Sequence, residues 1–263
     1  VLIIPGGAFR RLVYNFEGED VAKWLNSMGI AAFVLECRLP SDEHDNAEDV
    51  PLIDAMRAMR VIRGRAQEFG IDEAKIGVMG FSAGGFMAAL LSTAYESDVY
   101  ADYKYKDEYD KLSARPDFAV CSYPVISIDD CIEAGKRYMS EEQVLERISD
   151  SKAKILHKYN PDKLVRPDMP PVFICETDDD RTTLSENSVG FYMAARKAGV
   201  SAELHIFRTG GHGYGCGDDF AQTGEWKVLF TLMWWTNVAL DDITSLQSVA
   251  LHKIGSYVDI IWR

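Results

Sequence analysis

A serine flanked by glycines, a short run of aspartates and a histidine set among glycines are the side chains here whose types could do chemistry together. Gly80-Phe81-Ser82-Ala83-Gly84-Gly85 follows the apolar run Lys75-Ile76-Gly77-Val78-Met79 and precedes Phe86-Met87-Ala88-Ala89-Leu90-Leu91, so the local reading is strand, tight turn, helix. G-x-S-x-G in that setting is a nucleophile elbow: a strained turn pushes the Ser82 hydroxyl outward, and the glycines let the following helix pack close. The same turn puts the Ala83 amide at a helix N-terminus, where an unsatisfied N–H and the helix dipole favour a developing oxyanion. Glu176-Thr177-Asp178-Asp179-Asp180 closes a second apolar run, Val172-Phe173-Ile174-Cys175. Gly210-Gly211-His212-Gly213-Tyr214-Gly215 then holds an imidazole on a loop with almost no side-chain bulk around it. Serine, carboxylate and histidine in these settings point to acyl transfer through a serine nucleophile. The residues alone leave the choice among the three aspartates open.

Each of these groups needs an element to deliver it. Val1-Leu2-Ile3-Ile4 reads as a buried parallel strand entering the loop Pro5-Gly6-Gly7-Ala8-Phe9, whose small residues let backbone amides converge as the other half of an oxyanion hole. From Asp20 to Met28, apolar Val21, Trp24, Leu25 and Met28 have the spacing of an amphipathic helix that Gly29 ends. Ile30 to Leu35 is the next strand, Ser41 to Asp49 an acidic loop, and Pro51 stands near the start of a helix through about Phe69. Pro116 to Cys121 and Ala202 to Phe207 read as strands, Ser185 to Ala198 and Phe220 to Val238 as helices, the aromatics of the latter as core. Strands alternating with helices imply an α/β fold with a mostly parallel sheet covered on both faces. Ligands bind at the carboxyl edge of such a sheet, where the acidic loop falls.

Other stretches are read more plainly. Tyr100 to Leu112, dense in charge and tyrosine, reads as a solvated surface excursion. Ile128 to Tyr159 is helical and breaks the strand rhythm, which makes it the candidate cap over the site. His44 reads as a loop residue, His157 has no evident partner, and His205 reads as a structural histidine inside its strand. The expected organisation is one domain over 1–239 and an extension over 240–263, with Tyr257 to Trp262 its best strand candidate.

With a formal net charge of −13, the chain lacks the basic face that nucleic acid or an anionic membrane surface requires, and a neutral substrate suits it better. The 5 cysteines are widely spaced without a C-x-x-C pair, so neither a zinc site nor a disulfide framework is expected, and most should be buried thiols. The chain opens at Val1 inside a strand, so residues are expected upstream. A cytoplasmic location is the expectation, with a signal peptide ahead of Val1 left open, and oligomeric state is open as well.

These motifs together resemble the α/β-hydrolase superfamily, above all its carboxylesterase and acetyl-xylan-esterase-like branch. The resemblance runs over roughly Val1 to Val238 and rests on Pro5-Gly6-Gly7, Arg38-Leu39-Pro40, Gly80 to Gly85, Tyr123-Pro124-Val125-Ile126-Ser127, Glu186-Asn187-Ser188, and Ala202 to Phe207 leading to Gly211-His212-Gly213. The order serine, acid, histidine is that of the superfamily's triads. The resemblance implies Ser82 as nucleophile, His212 as base and Asp180 as acid, with Asp179 a live alternative because Thr183-Leu184 stands where the family has Val-Pro. It implies an oxyanion hole from the amides of Gly7, Ala8 and Ala83, with Ala8 in place of a third glycine and Phe86 where a histidine is common. It also implies strands ahead of Val1, no metal or organic cofactor, and a small acyl ester as substrate, an acetylated oligosaccharide by preference. A prolyl-oligopeptidase-type peptidase and a non-catalytic binding protein on the same fold are the rival readings.

Overall fold

The computed structural model describes residues 1–40, 46–101, 103–104, 106–149, 154–216 and 223–234. Six strands, β1 (Leu2–Ile4), β2 (Phe33–Val34), β3 (Val78–Phe81), β4 (Ala119–Ser122), β5 (Val172–Thr177) and β6 (Ala202–Phe207), form one sheet in the order β2-β1-β3-β4-β5-β6. Every neighbouring pair is parallel. The register aligns Ile4 with Gly80, Gly80 with Cys121, Cys121 with Ile174 and Ile174 with Leu204. All the strands therefore open their carboxyl ends onto one edge.

Burial on both sides explains why β1, β3, β4 and β5 read as continuous apolar runs instead of alternating ones. On one face Leu2, Ile4, Val78, Ala119, Cys121, Val172 and Ile174 join a core with the helices α2 (Val50–Gly64), α4 (Ala83–Ala94) and α8 (Ser185–Lys197). The other face is covered by α1 (Asp20–Ser27), whose Val21 and Leu25 are buried, and by Trp226, whose ring meets those of Trp24 and Phe81. A short α3 (Ala66–Phe69) ends on Gly70 in the left-handed conformation and turns the chain into β3.

Between β4 and β5 lie α5 (Ile128–Tyr138), α6 (Glu141–Ser149) and α7 (Lys154–Lys158). Ile155 and Leu156 of α7 belong to the core, and Lys158 and Tyr159 bond Asp49 at the start of α2. α5 is tied to the carboxyl edge: the Asn187 Oδ1 accepts the amides of Ile126 and Ser127 at 3.1 and 3.2 Å, and Arg137 pairs with Glu186 at 2.8 Å. The described residues of 100–112 lie at the surface, as their sequence reads, but are anchored to α2. Arg57 binds Asp107 and Asp110, and Arg60 lies over the ring of the buried Tyr100 and bonds the Leu112 carbonyl, so two arginines of α2 anchor this stretch while Lys104, Lys106, Glu108 and Lys111 stay exposed. Pairing with cations is what allows so acidic a segment to dock.

By its contacts the chain divides into two compact units, Val1–Lys227 and Val228–Arg263, with the division inside α9 (Trp226–Trp234). His44, Phe220, the end of the last expected helix beyond 234 and the Tyr257–Trp262 stretch lie outside the described residues. The cysteines are thiols, four of them buried and Cys131 half-buried.

One glycine sets the spacing on which the site depends. A Cβ on Gly84 would stand 1.9 Å from the Ile4 carbonyl oxygen and 2.7 Å from that of Pro5. Only glycine lets the start of α4 lie directly on the end of β1. Gly84→Ala is therefore expected to cost about 3 kcal/mol by overpacking and strain. It should lower Tm by roughly 6–12 °C, and a thermal melt showing no change would contradict the close approach.

Candidate active site

Ser82 sits between β3 and α4 with φ 53° and ψ −118°, a left-handed conformation that a residue with a Cβ rarely adopts. Strain of this kind costs on the order of 1–3 kcal/mol and persists only where neighbours enforce it. Here the Ser82 amide donates to the Ser122 carbonyl at 3.0 Å, and the Ser82 carbonyl accepts from Phe86 and Val125 at 3.0 and 3.3 Å. The turn is thus held by β4 on one side and α4 on the other.

His212 arrives from the loop after β6. Its Nε2 lies 2.8 Å from Ser82 Oγ and its Nδ1 lies 2.6 Å from Asp180 Oδ2. These distances chain the three side chains together across separations of 130 and 32 residues in sequence. Asp180 is buried at 2% exposure, and its charge is met on both oxygens. Oδ1 accepts the amides of Thr182 and Thr183 at 2.6 and 3.0 Å, while the Thr183 hydroxyl donates to Oδ2 at 2.9 Å. Burial alone would raise the Asp180 carboxyl. His212 and the two amides outweigh it and hold Asp180 below its ordinary value.

Asp179 does a different job. Its Oδ1 accepts the amides of Gly210 and Gly211 at 2.9 and 2.8 Å, and Thr177 Oγ1 donates to the Gly211 carbonyl at 2.8 Å. The acidic loop therefore bonds the histidine side chain through Asp180 and the histidine loop's backbone through Asp179. Asp178 is exposed. Behind Asp180 stands the fully buried Glu176, which accepts from the Thr177 amide at 2.9 Å and from Ser188 Oγ at 3.3 Å. Burial first, then the neighbouring Asp180 charge, push Glu176 well above its usual range. The two carboxyls are driven apart, and the charge of the pair rests on Asp180.

The loop after β1 lies against the elbow. A Cβ placed on Gly6 would stand 2.9 Å from the Ser82 Cβ. The Gly6 amide is committed to Glu17 Oε2 at 2.8 Å, and the Gly6 and Gly7 carbonyls accept from Val13 and from Arg10 and Arg11. Gly7, Ala8 and Phe9 all have positive φ, at 129°, 56° and 57°. Gly7 and Ala8 follow Gly6 in this turn, and Ala83 heads α4, where its N–H has no intrahelical carbonyl to meet. Among the described residues no group of three or more His, Cys, Asp or Glu side chains is placed to hold a metal ion. None of the helices in the described residues is long and apolar enough to cross a membrane.

His205 bonds Glu203 Oε1 at 2.6 Å within β6, as its structural reading expects. Sequence reasoning missed three residues that pack around the chained trio. Thr183 gives Asp180 an amide and a hydroxyl, Tyr123 presents its ring edge-to-face to His212 with centroids 5.0 Å apart, and Glu17 accepts from the Tyr123 hydroxyl at 2.9 Å. Thr183 stands where the resemblance marks a departure, and that was its signal. Glu17 sits in an unremarkable Phe-Glu-Gly stretch and carries none.

The BD-FAE family model matches residues 1–194. Over 219 residues the chain is 32% identical to an acetylxylan esterase of Xylanibacter ruminicola, covering 82% of this chain and 41% of that protein. It is 31% identical over 220 residues to endo-1,4-beta-xylanase B of Butyrivibrio fibrisolvens, covering 83% and 33%. The chain spans less than half the length of either curated relative. Among solved structures, an acetyl ester-xyloside bifunctional hydrolase from Caldicellulosiruptor lactoaceticus matches with a TM-score of 0.72 at 36% identity, over 89% of this chain and 82% of that one. Its parallel sheet, the serine turn between β3 and α4 and the match over most of its length agree: the chain belongs to the BD-FAE family, on the α/β-hydrolase fold.

Proposed function

We propose that this protein is a serine esterase that removes small acyl groups, acetyl above all, from xylan-derived oligosaccharides. The observation that carries the reading is the unbroken hydrogen-bonded line from Ser82 Oγ through the His212 imidazole to Asp180. His212 Nε2 takes the hydroxyl proton as Ser82 attacks the ester carbonyl, and Asp180 stabilises the imidazolium that forms. The amides of Ala83, Ala8 and Gly7 would receive the oxyanion of the tetrahedral intermediate, where one donor is worth about 3 kcal/mol. His212 returns its proton to the leaving alcohol, and water, activated the same way, releases the acid from Ser82.

The sugar part of the substrate rests on the relatives and on a cleft beside the oxyanion loop. The Xylanibacter protein is an acetylxylan esterase and the Caldicellulosiruptor protein an acetyl ester-xyloside hydrolase. The cleft, about 480 Å³, is lined by Leu12, Tyr14, Glu36, Cys37 and Leu39, with the Tyr14 ring 40% exposed. An exposed aromatic face beside a carboxylate suits a sugar, whose ring is apolar above and below and hydroxylated at its rim. The test is acetate release from acetylated xylo-oligosaccharides, set beside an aryl acetate and an aminoacyl anilide. Turnover of both esters is expected, with Tyr14→Ala raising KM about 10-fold for the sugar ester, ~1.4 kcal/mol, and less for the aryl acetate. Cleavage of the anilide in preference to either ester would overturn the esterase reading in favour of a peptidase.

A further inference from the structure

We infer that Glu17 is a positioning residue of the active site, whose buried side chain fastens the oxyanion loop to the histidine loop through Tyr123. The inference rests on the esterase reading and extends it to a residue outside the triad. Glu17 lies in a single π-helical turn, Asn15–Glu19, and is 3% exposed. Extra residues inserted into helices in this way recur at functional sites, because they re-aim side chains. Its two oxygens accept from two different parts of the site: Oε2 from the Gly6 amide at 2.8 Å, Oε1 from the Tyr123 hydroxyl at 2.9 Å. The Tyr123 hydroxyl in turn accepts from the Gly215 amide at 3.0 Å, three residues past His212, while its ring lies edge-on to the imidazole.

Two further observations show that this bridge is built. Tyr123 is held at φ 37°, a strained conformation for an aromatic residue, with its amide donating to the Cys175 carbonyl at 2.7 Å. Gly215, at φ 49°, lies so close to the π turn that a Cβ there would meet the Phe16 carbonyl oxygen at 2.9 Å. The histidine loop thus rests on the same turn that carries Glu17. Both groups bonded to Glu17 donate, so the site is shaped for a carboxylate acceptor. Burial holds Glu17 above its ordinary value, and the Tyr123 and Gly6 hydrogen bonds offset that only in part.

Glu17→Gln keeps the shape, removes the charge and turns an NH2 toward one of two donors. With an aryl acetate as substrate, kcat is expected to fall about 10–100-fold with KM within about 3-fold. Tyr123→Phe, which cuts the bridge while leaving Glu17 in place, should lower kcat in the same range. Active wild-type enzyme with a cooperatively melting Glu17→Gln of unchanged kcat would overturn the inference. So would a Tyr123→Phe enzyme of wild-type kcat, the deciding result if the glutamine variant does not fold. A wild-type protein inert toward every ester would instead sink the esterase reading itself, so the two failures are distinguishable.

Discussion

Replacing Ser82 with alanine is expected to lower kcat for ester hydrolysis by about 10⁵–10⁶-fold, the scale seen when the nucleophile of a serine triad is removed. The substitution is clean for a structural reason. Alanine keeps the Cβ, so the backbone at φ 53° meets the same strain as before, and the Ser82 amide and carbonyl still bond Ser122, Phe86 and Val125. What disappears is the Oγ that lies 2.8 Å from His212 Nε2, and with it the acyl-enzyme. The remainder, about 10³–10⁴-fold over water, belongs to the oxyanion amides and binding. His212→Ala should fall to a similar level, and the double variant no further, because serine and histidine act as one unit. The measurement is kcat on an aryl acetate, with a cooperative melt of each variant as the control for folding. A folded Ser82→Ala that retains wild-type turnover would remove Ser82 from the reaction and leave the non-catalytic binding reading standing.

How much of this was legible beforehand follows from the kind of interaction each feature depends on. β1, β3, β4 and β5 announced themselves because strands buried on both faces read as apolar runs bounded by glycine or proline. Ser82 and His212 were legible because glycine-lined turns are local chemistry, written in adjacent residues. The choice between Asp179 and Asp180 was not local: it depends on how the loop after β5 faces a loop 30 residues on, and the resemblance had to supply what spacing could not. Glu17 was illegible for the same reason, since its partners lie at Gly6 and Tyr123, and nothing in Asn15-Phe16-Glu17-Gly18 marks a π turn. The reading of 100–112 as a surface excursion lacked only its anchor. Arg57 and Arg60, which hold it, stand on a helix well before it in sequence, with 50 residues between Arg57 and Asp107.

Asp180→Asn is expected to lower kcat by about 10⁴-fold, and the geometry says why an isosteric change should do so much. Four donors converge on the two Asp180 oxygens: the Thr182 amide, the Thr183 amide, the Thr183 hydroxyl and His212 Nδ1–H. An asparagine has one oxygen to offer them. If its NH2 faces His212, Nδ1 must become the acceptor, the ring proton moves to Nε2, and the imidazole no longer has a lone pair for the Ser82 proton. If the NH2 faces the threonine amides, two buried donors lose their acceptor and the loop itself is destabilised. Asp179→Asn poses no such conflict, because one Oδ1 accepts both glycine amides and an asparagine oxygen can do the same, so a change of only a few-fold is expected. The pair also differs against pH. Asp180 is held below its ordinary value of 3.8, so its contribution to stability is present above that value and lost as acid protonates the folded protein. Asp180→Asn should accordingly flatten the acid side of the Tm profile. Should Asp179→Asn prove the damaging change while Asp180→Asn turns over normally, the acid of the triad would have to be reassigned to Asp179, and the histidine loop would have to approach the sheet edge from a different angle.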